Sequence, residues 1–316
     1  MVHILELKTT QAAAIKIVID AINSLLTDAN FDFYPFYIDD SKKEEKEDDE
    51  RKETDTNYES DSTVETSEEA PEETEQNKTE VEPKKKTIGG MVLKEVNKTG
   101  KILVYMRLDA DKFDVYKYNY HKKKLTLGID INNLLKCLKC MSHFDTMTWI
   151  VDDDDINKLV IILESNERKE KKTFKLNLMD IEEETYDITP IQFPYSITLP
   201  SQDLHKYCKD MAASTDKIDI KATSNKLFFS GKGGIGNIEF EVGETNGGLS
   251  IVSTTSNTNE IVQGLFELKF LLIFTKCTNL CNQVTIFLKN DYPIIVTYQI
   301  AALGEIKLVL SPSKAE

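Results

Sequence analysis

Histidine is scarce in this chain of 316 residues, and the four present (His3, His121, His143, His205) are scattered. No Ser/His/Asp or Cys/His set can be assembled from them, nothing supports an enzyme, and no cofactor is called for. There are five cysteines, an odd number, and the N-terminus lacks the basic and apolar regions of a signal peptide. Reduced thiols in the cytosol or nucleus are therefore expected, not a disulfide framework. No apolar run reaches the ~18 residues of a membrane helix, so no membrane span is expected. Positive charge is also short: 39 Lys and Arg stand against 54 Asp and Glu, a net of −15. As an average, that excludes phosphate binding, which needs clustered Lys and Arg.

The average hides the distribution. Residues 39–86 carry 20 acids and nine bases, a net of −11, and the remainder carries 34 and 30, a net of −4. Between Asp39 and Glu82 the only large apolar residues are Tyr58, Val64 and Val81. Such a segment buries too little surface to offset its ordering entropy, so disorder is expected over about 35–87. That segment would interrupt the first of two expected domains, 1–178 and 195–312, and the hydrophobic fraction over the whole chain is 40%.

Four segments carry apolar residues at helical spacing. They are Ile15–Leu26, about Asn132–Met141, the stretch after Pro200-Ser201, and about Lys269–Thr275. Ser201 is placed to cap the third. Around them lie many short β-like runs, among them Lys101–Leu108, Lys158–Glu164, Lys226–Ser230 and Pro293–Tyr298. Each half reads as strand, helix, strands, helix, strands. The expectation is an α+β fold of two tandem similar domains, with 179–194 as connector and 313–316 as a short tail. Lys136 and Lys139, and likewise Lys206 and Lys209, face away from the apolar stripe of their helix. Lys16 does so on the first helix, and Lys269 and Lys276 flank the fourth. Solvated faces would explain any one pair. Lysines on all four helices of an acidic chain point to a shared basic surface.

Other motifs fail on context. Gly231-Lys-Gly-Gly-Ile-Gly236 matches a dinucleotide fingerprint, but a strand-like run follows where a helix is required, so a glycine-rich hairpin is expected. Cys137 and Cys140 lie in a helical pattern, where cysteine acts as a small hydrophobe, and no metal site is expected. Asp152–Asp155 lacks the glycine and spacing of a calcium loop and reads as a hairpin turn.

Several stretches resemble the proliferating cell nuclear antigen family, the eukaryotic DNA sliding clamps. They are Leu127–Cys140, Leu176–Glu184, Pro200–Asp210, Phe266–Lys276, Asp291–Ile300 and Leu308–Pro312. The resemblance implies a homotrimeric ring of DNA-clamp domains, sheets outside and helices inside, that encircles duplex DNA without reading its sequence. It would act as a processivity factor, tethering DNA polymerase and other replication and repair proteins, and an ATP-dependent clamp loader would open it. By matching positions the lining lysines are Lys16, Lys136, Lys139, Lys206, Lys209, Lys276 and, more weakly, Lys269. Ile17 and Asn23 stand where the family often has lysine. Ring closure would pair about Glu170–Leu178 with about Gly234–Val242. The pocket for the partners' short motif would comprise Val96, Gly100, Tyr186, Ile188, Pro293, Val309, Ser311 and Pro312. Tyr186, Gly100 and Val309 depart from the usual leucine, histidine and tyrosine. Two other readings are a subunit of a heterotrimeric checkpoint clamp and a clamp-derived scaffold that no longer encircles DNA. The compartment implied is the nucleus, or a viral replication site if the source is a large DNA virus.

Overall fold

Alternation of apolar and polar residues sets the strands, and the buried positions follow it: Ile102, Val104, Met106 and Leu108 are buried while their neighbours are not. The computed structural model describes residues 3–38, 87–142, 145–183, 191–234, 236–254 and 260–313. The acidic stretch 39–86, the connector positions Tyr186 and Ile188, His143 and the last three residues lie outside the described residues. Two compact units are formed, 1–36 with 89–316, and 37–88. In the smaller, β3 (Tyr37–Ile38) pairs antiparallel with β4 (Thr87–Ile88).

The larger unit begins with β1 (His3–Thr9), α1 (Ala12–Asn23), β2 (Asp28–Phe33), β5 (Gly90–Val96), β6 (Ile102–Asp109), β7 (Val115–Tyr118) and β8 (Leu125–Asp130). Then come α2 (Ile131–Lys139), β9 (Thr146–Asp152), β10 (Asp155–Ser165) and β11 (Glu170–Asn177). The second half is β12 (Tyr195–Pro200), α3 (Ser201–Ala212), β13 (Lys217–Ala222), β14 (Lys226–Gly233), β15 (Gly236–Gly243), β16 (Ser250–Ser253) and β17 (Val262–Glu267). It closes with α4 (Leu268–Phe274), a 3-10 turn (Thr275–Leu280), β18 (Gln283–Leu288), β19 (Ile294–Ile300) and β20 (Gly304–Leu310). Each half is thus one strand, a helix, five strands, a helix and three strands, and the repeat expected from sequence is present in the element order.

Pairing repeats as well. The order β7-β1-β9-β10-β11 recurs as β16-β12-β18-β19-β20, and β8-β2-β5-β6 recurs as β17-β13-β14-β15. At the join, β20 pairs antiparallel with β6 from Gly304↔Leu108 to Leu310↔Ile102, fusing two of these sheets into one of nine strands. Ile306, Leu308 and Leu310 there pair with Met106, Val104 and Ile102, and all six are buried. α1 packs on α2, α3 on α4, and the 3-10 turn touches both α1 and α3, so the helices form one layer. Their apolar residues share a single core with the sheets.

Local expectations are settled too. Gly233 pairs with Gly236 in a hairpin, as the strand after the glycine run requires. Asp152 faces Asp155 across the β9–β10 turn. Ser201 is corrected: it makes no cap bond, and the residue before α3 is Pro200. Buried, its hydroxyl donates to Cys281 O at 2.5 Å and Thr278 O at 3.2 Å, tying α3 to the 3-10 turn.

The body closes on itself at the root of the acidic insertion. Tyr34 N donates to Gly90 O and Gly89 N to Phe36 O, both at 2.9 Å. The Tyr116 hydroxyl lies 2.7 Å from Tyr34 O and 3.0 Å from Gly90 O. Gly90 has φ +137°, and a Cβ there would lie 2.1 Å from Leu108 O, so only glycine fits.

Candidate nucleic-acid and partner interfaces

The helix layer carries the lysines singled out in the sequence. On α2, Asp130 caps the N-terminus, its carboxylate accepting from Asn133 N at 2.7 Å. With Leu134, Leu135 and Leu138 buried, Lys136 and Lys139 are left exposed. On α3, Leu204, Cys208 and Met211 are buried, and Lys206 and Lys209 are exposed. Lys16 is half-buried on α1 and borders a hollow of about 460 Å³ with Lys139 and Lys276. Ile17, Leu135 and Met141 help form its wall, so Ile17 adds apolar surface where a lysine would add charge. Lys136 donates to Asn133 Oδ1 at 3.1 Å, and Lys276 and Lys269 also have partners. Lys276 donates to Ser24 Oγ at 2.7 Å and lies 3.9 Å from Asp20. Lys269 pairs with Glu267 at 2.7 Å and sits over the Phe270 ring.

These ammonium groups are point charges on rigid helices. Such groups are suited to holding phosphates, which carry no sequence information. Among the described residues no cluster of three or more His, Cys, Asp or Glu could hold a metal. Cys208 and Cys277 are buried, and burial pushes both thiols up to about 12. Cys137 and Cys140 sit at the end of α2 as the helical pattern requires.

Six of the eight expected pocket positions are described, and they lie on or beside the outward face of the nine-stranded sheet. Val96 faces Leu103, Leu103 faces Val309, and Val309 faces Ile295 across β5, β6, β20 and β19. Ladder partners share a face, so these four half-buried side chains form one apolar row. Phe287 continues it on β18, with Phe193 against it at 5.8 Å between ring centres. Gly100, at φ +69°, turns the β5–β6 loop beside the row. Pro293, Ser311 and Pro312 lie at the ends of β19 and β20. Val96, Gly100, Pro293, Val309, Ser311 and Pro312 are therefore brought to one region of the sheet. Leu103, Ile295 and Phe287 were missed from sequence. Their outward places on alternating strands were legible, but the order of strands was not.

The start of the connector is seated by β8 and β2. Met179 N donates to Gly128 O at 2.8 Å, and Asn30 Nδ2 to Ile181 O at 3.3 Å. A Cβ on Gly128 would come within 2.2 Å of Met179 O. Lys124 pairs with Glu183 and lies 3.6 Å from Asp32. No described helix is long and apolar enough to cross a membrane.

Two repeats of one strand-and-helix unit, fused through a continuous sheet with the four α-helices in one layer, define a protein of the DNA-clamp class. The chain belongs to the proliferating cell nuclear antigen family. Models of that family's N-terminal and C-terminal domains match residues 83–186 and 187–313. A relative from Acanthamoeba polyphaga mimivirus, named "Probable DNA polymerase sliding clamp", is 27% identical over 311 residues. The match covers 98% of this chain and 62% of the relative's length.

Proposed function

We propose that the chain is a non-catalytic sliding clamp whose copies close head to tail into a trimeric ring around duplex DNA. Its clamp domains would be 1–178 and 195–312, joined by 179–194. The observation that carries this is the pair of edges left by the repeat. Since β20 pairs with β6 inside the chain, the equivalent strands β11 and β15 are left at sheet edges, each eight residues long. Half-exposed Phe174 on β11 matches Ile238, Phe240 and Val242 on β15 in character. On the other faces stand exposed Lys171 and Lys175 against exposed Glu239 and Glu241. Joining β11 to the β15 of another copy buries apolar side chains and opposes unlike charges, whereas β11 on β11 would oppose lysines.

In such a ring the helix layer lines the hole, and Lys16, Lys136, Lys139, Lys206 and Lys209 meet phosphates. Each contact is weak and exchangeable, so the ring slides and topology retains it. Lys269 and Lys276 contribute less, being partly neutralised by Glu267 and Asp20. The apolar row with Gly100, Pro293, Ser311 and Pro312, completed by Tyr186 and Ile188, would take the short motif of a DNA polymerase or another replication protein. An ATP-dependent loader would open the ring. The nucleus or a viral replication site is the compartment this implies. The test is processivity of a polymerase on a primed circular template with a loader, beside a mass measurement. A trimer that lengthens the products is expected, and a stable monomer without effect overturns the reading.

A further inference from the structure

Glu267 ends β17 and immediately precedes α4, and its side chain is only 20% exposed. Both carboxylate oxygens are engaged. Oε1 takes Lys101 Nζ, from the β5–β6 loop, and Oε2 takes Lys269 Nζ at 2.7 Å. Lys217 is its ladder partner on β13. The two lysines belong to different surfaces. Lys269 is exposed on α4, in the helix layer. Lys101 follows Gly100 beside the apolar row, and its carbonyl accepts Ser311 N at 2.9 Å. Asn97 Oδ1 holds the same loop through Lys101 N at 3.1 Å and Ile102 N at 3.0 Å. A second tie runs beside it: Ser313 N donates to Leu265 O at 2.7 Å, two residues before Glu267. One carboxylate thus links a loop of the outer pocket to a cation of the inner layer.

We propose that Glu267 is a shared counterion through which duplex DNA on α4 and a peptide partner on the outer sheet strengthen each other's binding. The inference rests on the DNA-facing and partner-facing readings above and adds a coupling between them. Two ammonium groups on one carboxylate repel each other and divide its charge. A DNA phosphate that draws Lys269 away leaves Glu267 wholly to Lys101. The Lys101–Glu267 pair then tightens, and with it the 97–101 loop and the Ser311 backbone that border the pocket. The partner meets a loop already ordered, which lowers the entropy cost of binding. By linkage the partner raises DNA affinity by the same factor. Lys101 and Glu267 act here as positioning residues.

The test uses the full chain and two readouts. In hydrogen exchange, Lys269→Ala should slow exchange over 97–103 and 311–313, because it removes the competitor as DNA would. Glu267→Gln should speed it, and the double variant should match Glu267→Gln. A short duplex at low ionic strength should mimic Lys269→Ala in the wild type and change nothing in Glu267→Gln. In the second readout, a fluorescein-labelled peptide with one aliphatic and two aromatic anchors should bind roughly fivefold tighter with duplex present, but not in Glu267→Gln. Unchanged exchange over 97–103 in Lys269→Ala overturns the coupling, as does duplex-dependent tightening that persists in Glu267→Gln. A peptide that fails to bind the wild type without DNA overturns the partner pocket instead, and the exchange of the Lys269→Ala variant still decides the coupling.

Discussion

Glu267 shows how a single side chain answers to its surroundings. Lys101 first, then Lys269, hold its carboxyl below the ordinary value of 4.5. A group whose pKa is lowered by folding contributes stability in full above the unfolded value, and loses it as pH falls through the folded value. The stability difference between wild type and Glu267→Gln should therefore be present at neutral pH and shrink progressively below about pH 4.5. Denaturant unfolding at a series of pH values checks this, and a gap independent of pH contradicts it. The cysteines divide in the same local way. Cys140 is exposed at the end of α2, beside the helix-layer lysines, while Cys208 and Cys277 are enclosed. A thiol reagent at neutral pH should modify Cys140 first and reach the enclosed pair only after denaturation. Bound duplex should slow the reaction at Cys140, which mass spectrometry of the labelled peptides would show.

At the scale of elements, each helix has two jobs set by its two faces. The apolar stripe of α2 or α3 fixes its rotation on the sheets, and the lysines on the far side then have nowhere to point but outward. Replacing Lys136, Lys139, Lys206 and Lys209 by Ala should weaken duplex binding equally for all sequences. The slope of log affinity against log salt should fall by about 0.9 for each lysine that meets a phosphate. An unchanged slope would remove these helices from the DNA interface. The β2–β5 connection is a separate matter. Its root is held by hydrogen bonds among Tyr34, Phe36, Gly89, Gly90 and Tyr116, all within the body. Deleting 39–86 with a short turn in its place should leave the fold intact. It should raise the unfolding free energy by about 2 kcal/mol, the closure entropy saved in going from roughly fifty residues to a few. Chemical denaturation measures this, and a loss of stability would show that the segment contributes contacts to the body.

For the whole molecule, the decisive quantity is which edges remain open among the described residues. The connector covers β8 through Met179 and Gly128, and the residues after β20 reach β17 through Ser313. β7 and β16 are short, at four residues each. β11 and β15 are long; Phe174 and Leu176 share a face of β11, Ile238, Phe240 and Val242 share one of β15, and the other faces carry Lys171 and Lys175 against Glu239 and Glu241. Exchanging Lys171 and Lys175 for Glu should set like charges against Glu239 and Glu241. Assembly should weaken about a hundredfold, near 3 kcal/mol. Adding Glu239→Lys and Glu241→Lys should restore it. Sedimentation of the three proteins decides, and an assembly indifferent to the swap would mean that other edges form the joint.

Much of this was legible residue by residue. Periodicity placed the four helices and the strands, because burial repeats every 3.6 or 2 residues whatever the fold. Helical spacing placed Lys136, Lys139, Lys206 and Lys209 on the face that the structure leaves exposed. Ser201 was misjudged because a serine before a helical stripe is equally suited to a cap and to a buried tie, and only its neighbour, the 3-10 turn, distinguishes them. The apolar row Val96, Leu103, Val309 and Ile295 could not be read either. It depends on β20 lying beside β6, about two hundred residues away in the chain. The sequence alone determined local conformation, the uneven placement of charge and the doubling of the unit, since these depend on near neighbours and composition. Tertiary structure decided which strands meet, which edges stay open and which lysines share a carboxylate, since those contacts join segments whose separation carries no local signal.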